Sequence, residues 1–154
     1  MVRTGVGLYG YIEVNSVLPM LKPVMWQMAE VIGVKRIKRG ESVFYGEIAS
    51  KDMNIAFVRA GYGDGYVGGR YAYHLSANTY LERVFHLTMN VSAFDVKDSE
   101  VKVGSKVILM GNKTGIRADE IGMWTTFSTE QVLTRAGLSP RKALPSDIKY
   151  LLQS

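Results

Sequence analysis

Apolar and polar positions along this chain fall into short runs rather than long periodic stretches. Thr4 to Gly10 alternates glycine with apolar side chains, and Leu18 to Pro23 is a linker bounded by two prolines. Val24 to Val34 then has the β-branched and aromatic content of one long strand. Shorter runs follow at 42–44, 54–60, 71–75, 80–87, 91–96 and 105–110, several of them apolar on both faces and divided by Gly, Asn and Asp. Ala77-Asn78 suits a hairpin turn. Many short strands separated by turn residues predict a mainly β protein, a small Greek-key-like barrel closed or nearly closed, rather than an α/β sheet.

After Gly115 the pattern changes. Ala118 to Trp124 is helix-like, and Ser128-Thr129-Glu130-Gln131 is a capping box leading into Val132, Leu133 and Ala136, with Gly137 as the stop. One or two short carboxy-terminal helices are therefore expected. Pro140 and Pro145 suit an irregular tail, with a further helical turn over 147–153, and no internal repeat is evident.

Composition narrows the class. A chain of 154 residues, 47% hydrophobic and 21% charged, with mean hydropathy near zero, is expected to fold as a single core-forming body. Charges interrupt every apolar run, so no membrane partner is expected; without a basic segment and apolar core at its start, the cytoplasm is the expected location. The absence of Cys removes thiolate chemistry, and His74 and His86 are isolated, so the expected metal set is none. The net charge of +5 comes partly from Lys35, Arg36, Lys38 and Arg39, which read as a solvated turn ended by Gly40.

Three segments carry more than composition: Met1 to Gly10, Gly40-Glu41-Ser42-Val43-Phe44-Tyr45-Gly46, and Gly61-Tyr62-Gly63-Asp64-Gly65-Tyr66. In this order and at these spacings they resemble the carboxy-terminal part of the alanine racemase family, enzymes that use pyridoxal phosphate. The likeness runs from Arg3 to about Arg141 and includes Val101 to Val107, similar to the family's Val-Lys-Val-Gly-Asp-Glu-Val. It implies that residues 1–20 are the end of a (β/α)8 barrel domain with its linker. Residues 21–154 would then be the carboxy-terminal β-barrel domain. The implied activity is interconversion of L- and D-alanine, which supplies D-alanine for peptidoglycan.

Read without the family, Tyr45 is simply an aromatic at a strand end. The resemblance makes it the catalytic Tyr, one of two acid–base groups, the other being the Lys that holds the cofactor. Racemisation removes the α-proton from one face and returns a proton to the other, so groups able to exchange protons must flank the substrate. Arg3 resembles the Arg that donates to the cofactor's pyridine nitrogen, and Gly5 and Val6 resemble the pair whose backbone N–H groups bind its phosphate. Glycine admits an anion close to the backbone, and a helical amino terminus favours negative charge. Met89, in Thr88-Met89-Asn90, resembles the residue whose backbone N–H binds the substrate carboxylate across a dimer interface. Tyr62 matches a Tyr lining the substrate's access route, with Asp64 beside it. Read alone, these last two segments are a strand end and a glycine turn.

Several positions depart from the family pattern. Asn90 replaces an acid, Thr88 a Cys and His86 an Arg; Gly68 stands where Arg is usual, with Arg70 two residues on. Pro140 falls where some members place a phosphate-binding Tyr, and Lys142-Ala143-Leu144 lacks the usual Val-Pro-Arg. The Lys-Ala-Asn-Ala-Tyr-Gly segment that carries the cofactor Lys occurs nowhere in the 154 residues. The resemblance thus implies that the polypeptide alone is inactive and holds no cofactor stably. Its expected partners are an amino-terminal racemase barrel, a second copy in a homodimer or other self-association, and a small amino-acid substrate. Exposed apolar surface is expected at Val6, Leu8, Tyr9, Ile12 and the 62–66 loop. The competing reading is a non-catalytic association module or a small basic barrel that binds nucleic acid. No base-stacking stripe accompanies the basic run, so no nucleic-acid partner is expected.

Overall fold

The computed structural model describes residues 1, 3–11, 21–136 and 138. Eight strands occur among them: β1 Gln27–Ile37, β2 Ser42–Val43, β3 Glu47–Ile48, β4 Met53–Val58, β5 Tyr71–His74, β6 Thr79–Val84, β7 Ser92–Asp95 and β8 Lys106–Met110. Two helices follow, α1 Ala118–Thr125 and α2 Thr129–Ala136. Six strands close an antiparallel barrel in the order β1-β4-β7-β6-β5-β8, while β2 and β3 form a separate hairpin. Among β4 to β7, three hairpin-connected strands are joined by β4 on the far side of β7, which is the Greek-key order. The barrel and the two short helices match the fold class read from the sequence.

β1 closes the barrel by changing partners along its length. Gln27 to Glu30 pair with β8, and Val31 to Ile37 pair with β4 past an irregularity between Val31 and Gly33. The strand starts later than the expected Val24, because the Val24 N–H is taken by the Tyr9 carbonyl at 3.3 Å. It also runs further. Lys35 and Arg36 lie within β1, so only Lys38, Arg39 and Gly40 make the turn expected of the whole basic run. Arg36 lies 3.6 Å from Asp52, whose other oxygen accepts the Arg39 N–H at 2.9 Å.

The doubly apolar strands have a packing explanation. Ala56 and Val58 of β4, Phe94 of β7, and Val107 and Leu109 of β8 belong to the barrel core with Val31, Leu81 and Tyr66. Alternate residues point the other way and are covered. Ile55, Phe57 and Ala93 pack under the β2–β3 hairpin with Phe44 and Val43. Met110 packs with Ile121, Val132, Leu133 and Tyr11 beneath the helices. Period-2 strands become apolar on both faces when a hairpin and helices wrap the outside of the barrel.

The capping box is formed: Ser128 N–H donates to Gln131 Oε1 at 2.9 Å, and Gln131 N–H donates to Ser128 Oγ at 3.2 Å. Gly137, Pro140, Pro145 and the 147–153 turn lie outside the described residues. The expected Ala77-Asn78 turn is part of the β5–β6 loop, with Asn78 at φ 50°. Among the described residues, no helix is long and apolar enough to cross a membrane, and no group of three or more His, Cys, Asp or Glu is placed to hold a metal ion.

His74 in β5 is 1% exposed. Its Nδ1 accepts the Ala77 N–H at 3.0 Å, and its Nε2 meets no partner among the described residues. Protonating Nδ1 would set two donors against each other, and burial holds the imidazole below the ordinary histidine range. A folded-state value below the unfolded one means that stability is full above the unfolded value of about 6.5 and is lost as pH falls through the folded value. Thermal melts between pH 7 and 5 are therefore expected to fall more steeply for the wild-type chain than for His74→Asn, whose Oδ1 can still accept from Ala77. Parallel slopes would count against this origin.

Candidate functional site

Tyr45 sits at the tip of the β2–β3 hairpin. Strand pairing joins Ser42 to Ile48 and Val43 to Glu47, and the Glu47 N–H donates to the Phe44 carbonyl at 2.9 Å. Phe44, Tyr45 and Gly46 have φ of 23°, 36° and 92°. Two consecutive non-glycine residues in this region are costly and persist only where packing imposes them. The packing is visible: the Phe44 ring meets Phe57 and Phe85 edge-on, with centroids 5.7 and 6.5 Å apart. Phe44 is thus a turn residue rather than the last strand residue expected; it packs half-buried on the barrel while Tyr45 turns outward, 90% exposed.

Tyr62 and Met89 are brought together. The Tyr62 N–H donates to the Thr88 carbonyl at 3.0 Å and the Gly63 N–H to the Met89 carbonyl at 2.8 Å. Asp64, singled out beside Tyr62, accepts the Gly61 N–H at 3.1 Å and closes a short 3-10 turn, Tyr62–Asp64. Thr88 is buried, its hydroxyl donating to the Val91 carbonyl and accepting the Val91 N–H. Tyr62 and Met89 stay open to solvent, at 60% and 53% exposure. Tyr66, expected on the apolar surface, is instead buried in the barrel with its hydroxyl donating to the Gly69 carbonyl, and burial pushes that hydroxyl far above the ordinary tyrosine range.

The amino-terminal segment forms a 3-10 turn, Gly5–Tyr9. Gly7 donates to the Thr4 carbonyl at 3.1 Å, which leaves the Gly5 and Val6 N–H groups at the open end of the turn. Gly5 has φ 52° with open space where a β-carbon would stand, so an anion can approach the backbone there. The segment is docked: Gly10 lies hard against the Lys22 carbonyl, and the Tyr11 hydroxyl accepts the Ala118 N–H at 3.2 Å at the start of α1. Val6 packs against the helix cluster, which corrects the expectation that it is exposed; Leu8 and Tyr9 are exposed, as is Arg3, and Ile12 lies outside the described residues. Among the described residues no hydrogen bond joins this turn to Tyr45, Tyr62 or Met89.

Two residues not picked out in the sequence tie the loops together. Glu47 accepts the His86 N–H at 2.7 Å, and Arg83 donates to the carbonyls of Gly69 and Phe85 at 3.1 and 2.9 Å. The Arg83 guanidinium lies beside Gly68, its carbon 3.7 Å from where a β-carbon would be. Arg70 instead bonds Glu82 at 3.0 Å and stacks on Tyr71 and Trp124, so it does not turn toward Gly68. Nothing local announces Glu47, whose partner His86 is 39 residues on, and Arg83 gives no sign in sequence that it reaches back to Gly69. Pro140 lies outside the described residues.

The candidate residues lie on open surface. The cleft between α1 and α2, about 410 Å³ and lined by Asp119, Met123, Phe127 and Glu130, contains none of them. Small-molecule sites normally enclose most of their ligand, so Tyr45, Tyr62 and Met89 need a second body over them to form one.

The sequence profile of the family "Alanine racemase, C-terminal domain" matches residues 24–143. An alanine racemase of Vesicomyosocius okutanii is 34% identical over 153 residues, covering 96% of this chain and 42% of that protein. One of Clostridium tetani is 36% identical over 134 residues, covering 79% and 34%. Among solved structures, alanine racemase from Acinetobacter baumannii superimposes with a TM-score of 0.71 at 32% identity, covering 83% of this chain and 37% of that one. The biosynthetic alanine racemase from Pseudomonas aeruginosa gives 0.75 at 26%, covering 91% and 41%. The chain spans less than half the length of each of these relatives. Since the profile takes in most of the chain and solved alanine racemases share its barrel, the chain belongs to the alanine racemase C-terminal domain family.

Proposed function

We propose that this chain supplies one side of the active site of a pyridoxal-phosphate-dependent alanine racemase, with Tyr45 as an acid–base group acting in the site of a partner subunit. The observation that carries the proposal is Tyr45 itself, a large aromatic held 90% exposed at a left-handed turn position. On this reading residues 21–154 are the carboxy-terminal domain and residues 1–20 end the preceding one. The protein works in the cytoplasm as a head-to-tail dimer, each subunit completing the other, and supplies D-alanine for peptidoglycan.

Each residue then has a task that its surroundings permit. The Gly5 and Val6 N–H groups, open at the start of their turn, would hold the cofactor's phosphate, and Arg3 would face its pyridine nitrogen. When bound, the cofactor supplies the electron sink that makes the α-proton of an amino acid removable. The Met89 N–H would orient the substrate carboxylate, and Tyr62, fastened to the same loop through Gly63 and Thr88, would shape the access route. Tyr45 would exchange a proton between its phenol oxygen and the α-carbon on one face of the substrate. The opposite face belongs to a Lys outside these 154 residues. A phenol acts as a base only where donors stabilise its phenolate, and on this reading the amino-terminal barrel supplies them.

As a separate polypeptide, the 154-residue chain with pyridoxal phosphate is expected to show no racemisation of L-alanine and no stoichiometric, site-specific cofactor binding. The same chain completed with an amino-terminal racemase barrel is expected to turn over. Circular dichroism of the alanine pool after long incubation reads the difference. Steady turnover by the separate chain would overturn the division of labour proposed here.

A further inference from the structure

Glu47 lies on the returning strand of the hairpin, just past Tyr45, and turns both carboxylate oxygens to one residue. Its Oε2 accepts the His86 backbone N–H at 2.7 Å, the length of a bond to a charged acceptor, and its Oε1 lies 2.7 Å from His86 Nδ1, an ion pair whenever the imidazole is protonated. Glu47 is mostly covered while the His86 imidazole is exposed. On the other side of the turn, Phe44 stacks edge-on against Phe85. The turn is therefore pinned both before and after Tyr45, each time to the Phe85-His86 step that leads into Met89. Phe85 is itself held at φ 63°, with its carbonyl bonded by Arg83.

We propose that Glu47 is a positioning residue: by clamping His86 it fixes the Tyr45 phenol relative to the Met89 N–H. The inference rests on reading Tyr45 as the acid–base group. Strand pairing over Ser42–Ile48 and Val43–Glu47, with the backbone bonds of Ala49 to Gly40 and Glu41, fixes the base of the hairpin, and the Glu47–His86 contact adds a hold beside its tip, where Tyr45 stands. Proton transfer is sensitive to placement, and a displacement of about 1 Å can cost on the order of a hundredfold in rate. The Glu47–His86 bond spans 39 positions of sequence and ties the hairpin that carries Tyr45 to the segment that leads into Met89.

The test uses the full 154-residue chain carrying 3-fluorotyrosine, with the Tyr45 resonance assigned by Tyr45→Phe. Fluorine relaxation at Tyr45 and amide exchange at His86 are compared in three variants. Glu47→Ala is expected to speed His86 exchange on the order of tenfold, as loss of a bond of this kind implies, and to mobilise the Tyr45 ring. Glu47→Gln keeps an oxygen for the His86 N–H and is expected to stay close to wild type. His86→Ala removes only an exposed imidazole, so folding is not at stake, and an intermediate mobility is expected. An unchanged Tyr45 signal in both Glu47→Ala and His86→Ala overturns the clamp. In the enzyme completed with an amino-terminal barrel, Glu47→Ala is expected to lower kcat roughly ten- to a hundredfold while KM for alanine moves less than about twofold. If Tyr45→Phe abolishes activity there and Glu47→Ala does not change kcat, the positioning role fails and the Tyr45 reading stands. If Tyr45→Phe leaves activity intact, the acid–base reading fails, whatever the fluorine signal shows of the clamp.

Discussion

Tyr45→Phe, introduced into an enzyme completed with an alanine racemase amino-terminal barrel, is expected to lower racemisation by roughly 10²–10⁴-fold, the usual contribution of an acid–base group. Tyr80→Phe is the matched control. Tyr80 also carries a partly exposed phenol, but its hydroxyl donates to the Thr114 carbonyl at 2.8 Å and its ring packs edge-on against Tyr71 and Tyr73. Its loss should cost about 1 kcal/mol of stability and leave turnover near wild type. Both substitutions remove one oxygen and keep the ring, so packing is nearly constant in the comparison. Because only one face loses its proton-transfer group, the defect should depend on direction: exchange of the α-proton with solvent on the Lys face persists while conversion to the mirror image stops. Deuterium incorporation followed separately for each enantiomer measures this. A decrease of less than about threefold, well below the expected range, would leave Tyr45 as an aromatic at the end of a hairpin.

Gly61→Ala is expected to be strongly damaging although it adds a single methyl group. The backbone of Gly61, at φ −142° and ψ −174°, is one that alanine adopts freely, so conformational strain is not the cause. The cause is contact: a β-carbon there would stand 2.2 Å from the Met89 carbonyl carbon and oxygen and 2.3 Å from the Thr88 oxygen, all backbone atoms that cannot rotate away. The 61–66 and 88–90 loops would have to separate, breaking the bonds from Tyr62 to Thr88 and from Gly63 to Met89. Two lost backbone bonds at about 1 kcal/mol each, with the strain of overpacking, put the cost at roughly 2–4 kcal/mol. Gly7→Ala, where nothing lies within 4 Å and φ is not positive, should be close to neutral. Urea unfolding of the two variants tests the contrast. In a completed enzyme, Gly61→Ala should also raise KM for alanine, since the Met89 N–H moves with its loop.

The exposed aromatic surface was legible in part. Leu8, Tyr9 and Tyr62 are exposed, as expected of a face that a barrel domain and a second subunit would cover, but Tyr66 turns inward and Val6 is half-buried. The alternation in Gly61-Tyr62-Gly63-Asp64-Gly65-Tyr66 does not separate the two tyrosines. The 3-10 turn over Tyr62–Asp64, with Gly65 at φ 76°, directs one ring outward and the other into the barrel. Phe44 was misplaced for a related reason. In sequence it extends the strand Ser42-Val43, and only its contact with Phe57 and Phe85 drives it into the left-handed region and ends the strand a residue early.

What the sequence determined by itself is what short-range chemistry fixes. Turn residues between short apolar runs set the approximate bounds of the barrel strands, though not that the 42–44 run belongs to a separate hairpin with β3, and the Ser128–Gln131 box set the start of α2, because each depends on residues within a few positions of one another. The ordered segments around Arg3, Tyr45, Tyr62 and Met89 pointed to the family in the same way. Tertiary structure decided the rest. The closing order of the strands, the two ladders of β1, and the hairpin seated on Ile55, Phe57 and Ala93 follow from burying both faces of β4 and β7, which no local pattern specifies. Likewise the contacts of the Glu47 carboxylate with His86 and the docking of Gly61 against Met89 join residues far apart in the chain. Such contacts form only once the barrel has closed, since the entropy of bringing distant segments together is offset by the whole core and not by either pair alone.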